Sequence, residues 1–361
     1  MKIAIIGAGN AGCAHAFKFA EAGHVVNLIK TSHAMHDENF NQMVFQGGLW
    51  AVDHTNNDLK SFQSLNLITR DITSGLQGCE AILIMTQSLQ HTEISKRISG
   101  YVSDSVKLVL VLPGNLGSVY FRNLIKNENI IIGEGESTPF DARIIEPGVV
   151  NILFRNVRNK LAFYPSSDSE AGMALAKQIH VDYDTFRLNV IESALHNPNL
   201  VVHTIGVIMS AARIEYTNGE FWMYREGFTP AIWNLVDALD AEKNAVITAF
   251  GGIPSRYIDE CKYRNERDLS RDSLEVFNSY GNDGGPKGPK TIHSRYLYED
   301  VPKGLCLLKD LGLKAGVPTP VCYSLINIAS CLVNRDFLNS DKTIVEIGWE
   351  GLDQSSIMAK L

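Results

Sequence analysis

The sequence predicts an α/β fold in which an N-terminal doubly wound parallel sheet is followed by an all-α C-terminal domain. Three observations carry this. Short uninterrupted apolar runs alternate with amphipathic stretches through the first half. Runs of that kind are strands buried on both faces, and their alternation with helices builds a parallel sheet. The first run ends in Gly7-Ala8-Gly9-Asn10-Ala11-Gly12, directly before a helical pattern. Beyond residue 185 the apolar spacing changes to the helical period and stays there. At about 150 residues per domain, a chain of 361 residues makes two domains, drawn at 1–185 and 186–361.

The strands are expected, in order, at Lys2–Ile6, Val25–Ile29, Leu65–Ile68, Ala81–Met85, Lys107–Leu112 and Ile130–Ile132. Asn151–Phe154 and Lys160–Tyr164 read as extensions of the same sheet, antiparallel at its edge. In the second half, helical spacing runs through Glu192–Arg213, Thr229–Phe250, Ser255–Asp268, Gly304–Leu313 and Thr319–Asn334. The stretch 281–289, GNDGGPKGP, is too rich in Gly and Pro for helix or strand and reads as a loop that could act as a lid.

Composition narrows the function. The 33 basic and 40 acidic residues give a net charge of -7. Phosphate backbones select for clustered Lys and Arg, so nucleic acid is not the expected partner. The longest apolar runs are strand-sized, far below the roughly 20 residues of a membrane span, and no signal peptide is recognisable, so a cytoplasmic protein handling small molecules is expected, with no membrane partner. The six cysteines are scattered without a CxxC pair and read as reduced thiols, and no metal site is expected. A homodimer is left open, since nothing in the sequence fixes the oligomeric state.

The glycine cluster is GxGxxG in its strand–turn–helix setting. Gly7 permits the tight turn, Gly9 lets backbone approach a pyrophosphate, and Gly12 lets helix pack on strand, while Asn10 and Ala11 supply N–H groups at the positive end of the helix. The second strand closes on Lys30, followed by Thr31 and Ser32, where an acid would hold a ribose 2'-hydroxyl. A cation with two hydroxyls suits a 2'-phosphate better, which favours NADP with NAD as the alternative. The competing reading makes Lys30 a solvated strand end and gives the ribose to Asp37 or Glu38. Ligands sit at the carboxyl ends of such strands, so Thr86, Gln87 and Asn115 are further cofactor candidates, against ordinary turn chemistry.

In the second half, Asn197-Pro198-Asn199 opens a helix with Asn197 as N-cap and Pro198 in the first turn. Asn199 and His203 then share one face of an otherwise apolar helix. A polar pair there has to be satisfied by something, and standing alone His203 would more often be a satisfied core histidine. The segment Arg295-Tyr296-Leu297-Tyr298-Glu299-Asp300-Val301-Pro302 offers an acid that would fix a histidine's tautomer and steady its cation. The alternative has Asp300 capping a helix that starts near Pro302.

Taken together, the GxGxxG start, the Asn-Pro-Asn-x-x-x-His segment and the Arg-Tyr-x-x-Glu-Asp-Val-Pro segment resemble the opine dehydrogenases of the octopine/nopaline group over nearly the whole chain. The resemblance implies a Rossmann domain and a helical domain that join an α-keto acid to the amino group of an amino acid, reducing the imine with NAD(P)H. It implies His203 as acid/base, Asp300 as its partner, Asn199 one turn before it, and Arg295 as an arginine that approaches the cofactor. The proline usual after the fourth strand is absent, and Met85-Thr86-Gln87 stands there. Tyr224, Glu226 and Thr229 are the first choices for an amino-acid pocket, against a helix junction capped by Thr229; Arg143 and Arg213 are candidate carboxylate clamps by residue type. Two other functions compete: a 2-keto acid reductase that needs no amine, and a non-catalytic NADP(H)-sensing protein.

Overall fold

The computed structural model describes residues 1–33, 35–285, 287–340 and 342–361. Pro286, in the glycine-rich stretch, lies outside the described residues. The chain forms two compact units, Met1–Phe186 and Arg187–Leu361.

The first unit holds twelve described strands: β1 Lys2–Ile6, β2 Val25–Ile29, β3 Gly48–Asp53, β4 Leu59–Ser64, β5 Leu67–Thr69, β6 Ala81–Ile84, β7 Leu108–Val111, β8 Ile131–Gly135, β9 Phe140–Glu146, β10 Val149–Arg155, β11 Asn159–Phe163 and β12 Tyr183–Phe186. Eight form the main sheet in the order β12-β11-β8-β7-β6-β1-β2-β5. From β8 to β5 every pairing is parallel, while β11 runs antiparallel to β8. Ile3 to Ile6, Ile82 to Ile84 and Leu108 to Val111 are wholly buried, as strands covered on both faces must be. The chain moves from β1 to β2 on one side and returns to β6 on the other. The carboxyl ends of β1 and β6 therefore flank a topological switch point, where such sheets bind ligands.

Two readings of the sequence are corrected here. Asn151–Phe154 does not extend the main sheet; it lies in β10 of a second, four-stranded sheet ordered β4-β3-β10-β9. The strands Gly48–Asp53 and Leu59–Ser64 of that sheet were not expected at all. Leu59–Ser64 is largely exposed and mixes polar with apolar residues, so it carries no core-strand signal. The helix Asn10–Glu21 packs against both sheets, and Phe17, Phe140, Val150 and Ile152 share one core.

The second unit is helical. The 192–213 region resolves into Val190–Leu195, Asn199–Met209 and Ala211–Tyr216. Asn197 Oδ1 accepts from Asn199 N–H at 3.0 Å, closing the helix start. The longest helix is Pro230–Ala249, with Tyr257–Asn265, Leu307–Ala315 and Pro320–Val333 around it. Arg187 is buried against Glu192 at 3.3 Å and Glu260 at 2.8 Å, and the buried Lys303 reaches the exposed Glu346 at 2.6 Å. Among the described residues no helix is long and apolar enough to cross a membrane.

Candidate active site

In the first unit the candidate site is made of backbone. Gly7 sits at φ +117, and a Cβ there would meet Met85 O at 2.6 Å. A Cβ on Gly12 would lie 1.7 Å from Gly7 O, so helix and turn touch with no room for a side chain. Gly9, by contrast, faces open space. No side chain caps the helix Asn10–Glu21, whose first-turn N–H groups point out beside Gly9. Asn10 Oδ1 accepts from Ile144 N–H at 2.8 Å, so what Asn10 offers a ligand is its backbone N–H. Ala11 continues the same turn. At the end of β6, Thr86 is 8% exposed and its Oγ1 has no hydrogen-bond partner among the described residues. An open glycine cradle, uncapped N–H groups and an orphaned buried hydroxyl are what a bound dinucleotide would use. Gln87 caps the short turn Ser88–Gln90, and Asn115 Nδ2 donates to Ser88 Oγ at 2.9 Å, tying the loops after β6 and β7 together.

Around the end of β2 stands a cation cluster. Lys30 is buried, and its Nζ reaches Met35 O at 2.5 Å, Ser32 Oγ at 3.0 Å and Asp37 Oδ1 at 3.3 Å. Arg70 holds Asp37 at 2.9 Å and also donates to Ser32 O. Arg97 donates to Thr31 O at 3.2 Å. The Arg70 guanidinium holds the Asp37 carboxyl below its usual range. Neither arginine was singled out from the sequence, because each arrives from a later helix or strand with no motif around it.

In the second unit the candidate site is made of side chains. His203 Nδ1 donates to Asp300 Oδ2 at 2.7 Å, and both residues are buried. Asp300 precedes a π-helical turn, Val301–Cys306, and makes no side-chain cap to it; its carboxylate goes to the histidine instead. Tyr296 lies with its ring centroid 3.9 Å from that of His203. It stands four residues before Asp300, a spacing that could have revealed it. Asn199 is half-buried one turn before His203. Arg295 is half-exposed, 4.0 Å from the buried Glu299.

The remaining candidates gather at the helix Met223–Glu226. A Cβ on Gly206, three residues past His203, would meet Met223 Sδ at 2.7 Å, so this short helix packs on the histidine helix. Tyr224 stands among Phe228, Phe277 and Tyr280. Glu226 accepts from Trp222 N–H at 3.0 Å and from Arg213 at 2.9 and 3.1 Å, so these two charges hold each other. Thr229 is exposed at the start of Pro230–Ala249 and makes no side-chain cap. Arg143 lies exposed on β9 and donates to Ala142 O. Among the described residues no three His, Cys, Asp or Glu side chains are grouped to hold a metal ion.

Residues 187–333 match the α-helical domain of the NAD/NADP octopine/nopaline dehydrogenase family. The chain is 28% identical to an opine dehydrogenase of Arthrobacter sp. (strain 1C), over 98% of this chain and 97% of that one. Its fold is similar to an octopine dehydrogenase solved with NADH and L-arginine, at TM-score 0.75 and 18% identity over 99% of this chain and 98% of that one. It is also similar to a yersinopine dehydrogenase solved with NADP+, at TM-score 0.72 and 13% identity over 99% and 97%.

Proposed function

We propose that this chain, similar to the octopine/nopaline dehydrogenase family over residues 187–333 and to an opine dehydrogenase over its length, is an NADP-dependent enzyme that reductively condenses an α-keto acid with the amino group of an amino acid. The overall reaction joins keto acid and amine with loss of water, then converts the C=N bond of the imine to CH–NH at the expense of NADPH and one proton. The observation that carries the reading is the buried His203–Asp300 pair at 2.7 Å, backed by Tyr296. When bound, the reduced nicotinamide supplies the hydride; the proton and the orientation fall to the chain's own side chains.

The Asp300 carboxylate requires a proton on Nδ1, which directs Nε2 to exchange a proton with the reacting imine. Asp300 then steadies the imidazolium before it gives that proton up, and Tyr296 restrains the ring. Asn199, on the same face one turn earlier, is placed to orient substrate, and Arg295 to meet an anionic group. Gly7 to Gly12, Thr86 and Asn115 hold the dinucleotide. Lys30, Thr31 and Ser32, with Arg70 and Arg97, take the 2'-phosphate, which is why NADP is favoured over NAD.

The test follows NADPH and NADH absorbance in parallel while keto acids and amino acids are supplied singly and in pairs. Oxidation only when both are present is the expected result. Turnover with a keto acid alone would replace this reading with a simple keto acid reductase. Tight cofactor binding without turnover on any pair would replace it with a sensor.

A further inference from the structure

The loop that joins β7 to the helix Gly117–Leu124 adopts a conformation its residues resist. Asn115 has φ 51 and Leu116 φ 64, two successive non-glycine residues in the left-handed region. Asparagine visits this region with little penalty, but leucine has no polar group to offset it, and Leu116 is wholly buried. Strained backbone of this kind persists only where its surroundings over-determine it, and it concentrates at ligand sites.

The restraint is Glu134. It lies on β8, opposite Val111 of β7, and is wholly buried. Its Oε1 accepts from Leu116 N–H at 3.0 Å, and its Oε2 accepts from Ser118 N–H at 3.0 Å and Ser118 Oγ at 2.6 Å. Gly114 passes directly over it: a Cβ there would come within 2.3 Å of the Glu134 side chain. Gly114 N–H also donates to Gly135 O at 2.9 Å, so the loop is pinned on both sides of the strained pair. Two strained residues, one buried carboxylate with three donors aimed at it, and a glycine that makes room for it converge on a strand end of the switch-point edge. Among the described residues no cation pairs with this carboxylate, and burial pushes it up to about 7 against the pull of its donors.

We propose that Glu134 is a positioning residue for the cofactor: it holds Asn115–Leu116 in the left-handed conformation that presents the β7 loop to the nicotinamide half of the dinucleotide. This rests on the reading that the dinucleotide binds at the carboxyl ends of β1, β6 and β7. Glu134 acts on the half held by the β6 and β7 loops, through Asn115 and its bond to Ser88. It does not touch the adenosine half, held at β1 and β2.

The experiment uses Glu134→Gln in the full chain and titrates two probes by fluorescence or calorimetry, NADPH and adenosine 2',5'-bisphosphate. An amide in place of the carboxylate sets an NH2 against one of the donors, so the loop relaxes. NADPH affinity is expected to fall about 10–100-fold, the effect of losing a charged acceptor for buried donors, while the bisphosphate binds as in the unaltered protein. A well-folded variant that binds NADPH normally, or one that loses both probes equally, overturns the proposal. If Glu134→Gln fails to fold, Ser118→Ala removes one of the three bonds and should show the same probe selectivity at a smaller amplitude; equal binding of NADPH by that variant overturns it equally. Failure of the cofactor reading itself would look different, since the unaltered protein would then bind neither probe.

Discussion

Two buried carboxylates, Glu134 in the sheet unit and Asp300 in the helical unit, are satisfied in opposite ways. In the sheet unit, Glu134 is buried without an ion-pair partner and is satisfied by N–H and O–H donors of one loop. In the helical unit, Asp300 meets His203 and Glu260 meets Arg187, each a buried pair drawn from distant segments. The contrast follows from what each site is built of. A parallel sheet ends in loops whose own N–H groups are polar and directional, so the dinucleotide half is made of backbone and needs glycines more than side chains. A helix spends its N–H groups internally. Chemistry in a helical unit must therefore be brought in by side chains, and each buried one has to carry its own counter-charge.

The largest effect should come from breaking the pair that does chemistry. His203→Ala is expected to lower kcat by roughly 10²–10⁴, the usual worth of a general acid, with the NADPH dissociation constant unchanged. Asp300→Asn should fall in the same range, because its amide cannot hold the same tautomer reliably. Steady-state rates with a keto acid and an amine, together with a cofactor titration, check both. An unchanged rate for His203→Ala removes it from the mechanism.

Next in size is the pair that holds structure. Arg187→Met leaves Glu192 and Glu260 buried beside an apolar chain, which should cost roughly 3–5 kcal/mol. The urea midpoint read by circular dichroism measures it. A loss below about 1 kcal/mol, the worth of an exposed pair, would mean these charges are solvated and the contrast between the units is weaker than their burial indicates.

That contrast also decides what could be read from the sequence. The main sheet and the GxGxxG cradle were legible because contiguous residues encode them: a run such as Ile3 to Ile6 is apolar throughout, and Gly7, Gly9 and Gly12 act within one turn. The second sheet was not, because Leu59–Ser64 mixes polar and apolar residues on both faces and its pairing is set by β3. His203 and Asp300 were visible as residue types within motifs. Their 2.7 Å contact spans 97 positions, and no local rule reaches that far. Arg70 and Arg97 join Thr31 and Ser32 from 38 and 66 residues away, which explains why they were missed.

Acid titration should sharpen the difference within the sheet unit. Burial lowers the His15 pKa from 6.5 to about 3 and raises that of Glu134 from 4.5 to about 7. For His15 the unfolded chain binds the extra proton, so stability is full above pH 6.5 and declines as pH falls toward 3. For Glu134 the folded chain binds it, so stability is full below pH 4.5 and declines as pH rises through 7. At about 1.4 kcal/mol per pH unit the two slopes oppose each other between these limits, with His24 and His36, also lowered by burial, adding to the His15 side. His15→Gln removes one slope, and stability should then increase by up to about 3 kcal/mol on going from pH 6.5 to 4.5. Denaturant melts across that range are the measurement. A flat profile in the variant would show that Glu134 does not titrate there.

The smallest effect is also the most discriminating, because its sign differs between two readings of one residue. Asp37 sits between Lys30 and Arg70 and neutralises part of the cluster that would receive a 2'-phosphate. If NADPH is the cofactor, Asp37 is a like charge beside that phosphate. Asp37→Asn should then tighten NADPH binding severalfold and leave NADH nearly unchanged, since it removes one like charge a few ångströms from the phosphate in a solvated rim. If the cofactor is NADH, Asp37 accepts from the ribose 2'-hydroxyl, and the same substitution should weaken NADH by a similar factor. Parallel titrations of the two cofactors against this variant read the sign directly. Arg70→Ala supplies the converse, a selective loss of NADPH affinity, because Arg70 reaches both Asp37 and the Ser32 backbone where the phosphate would lie.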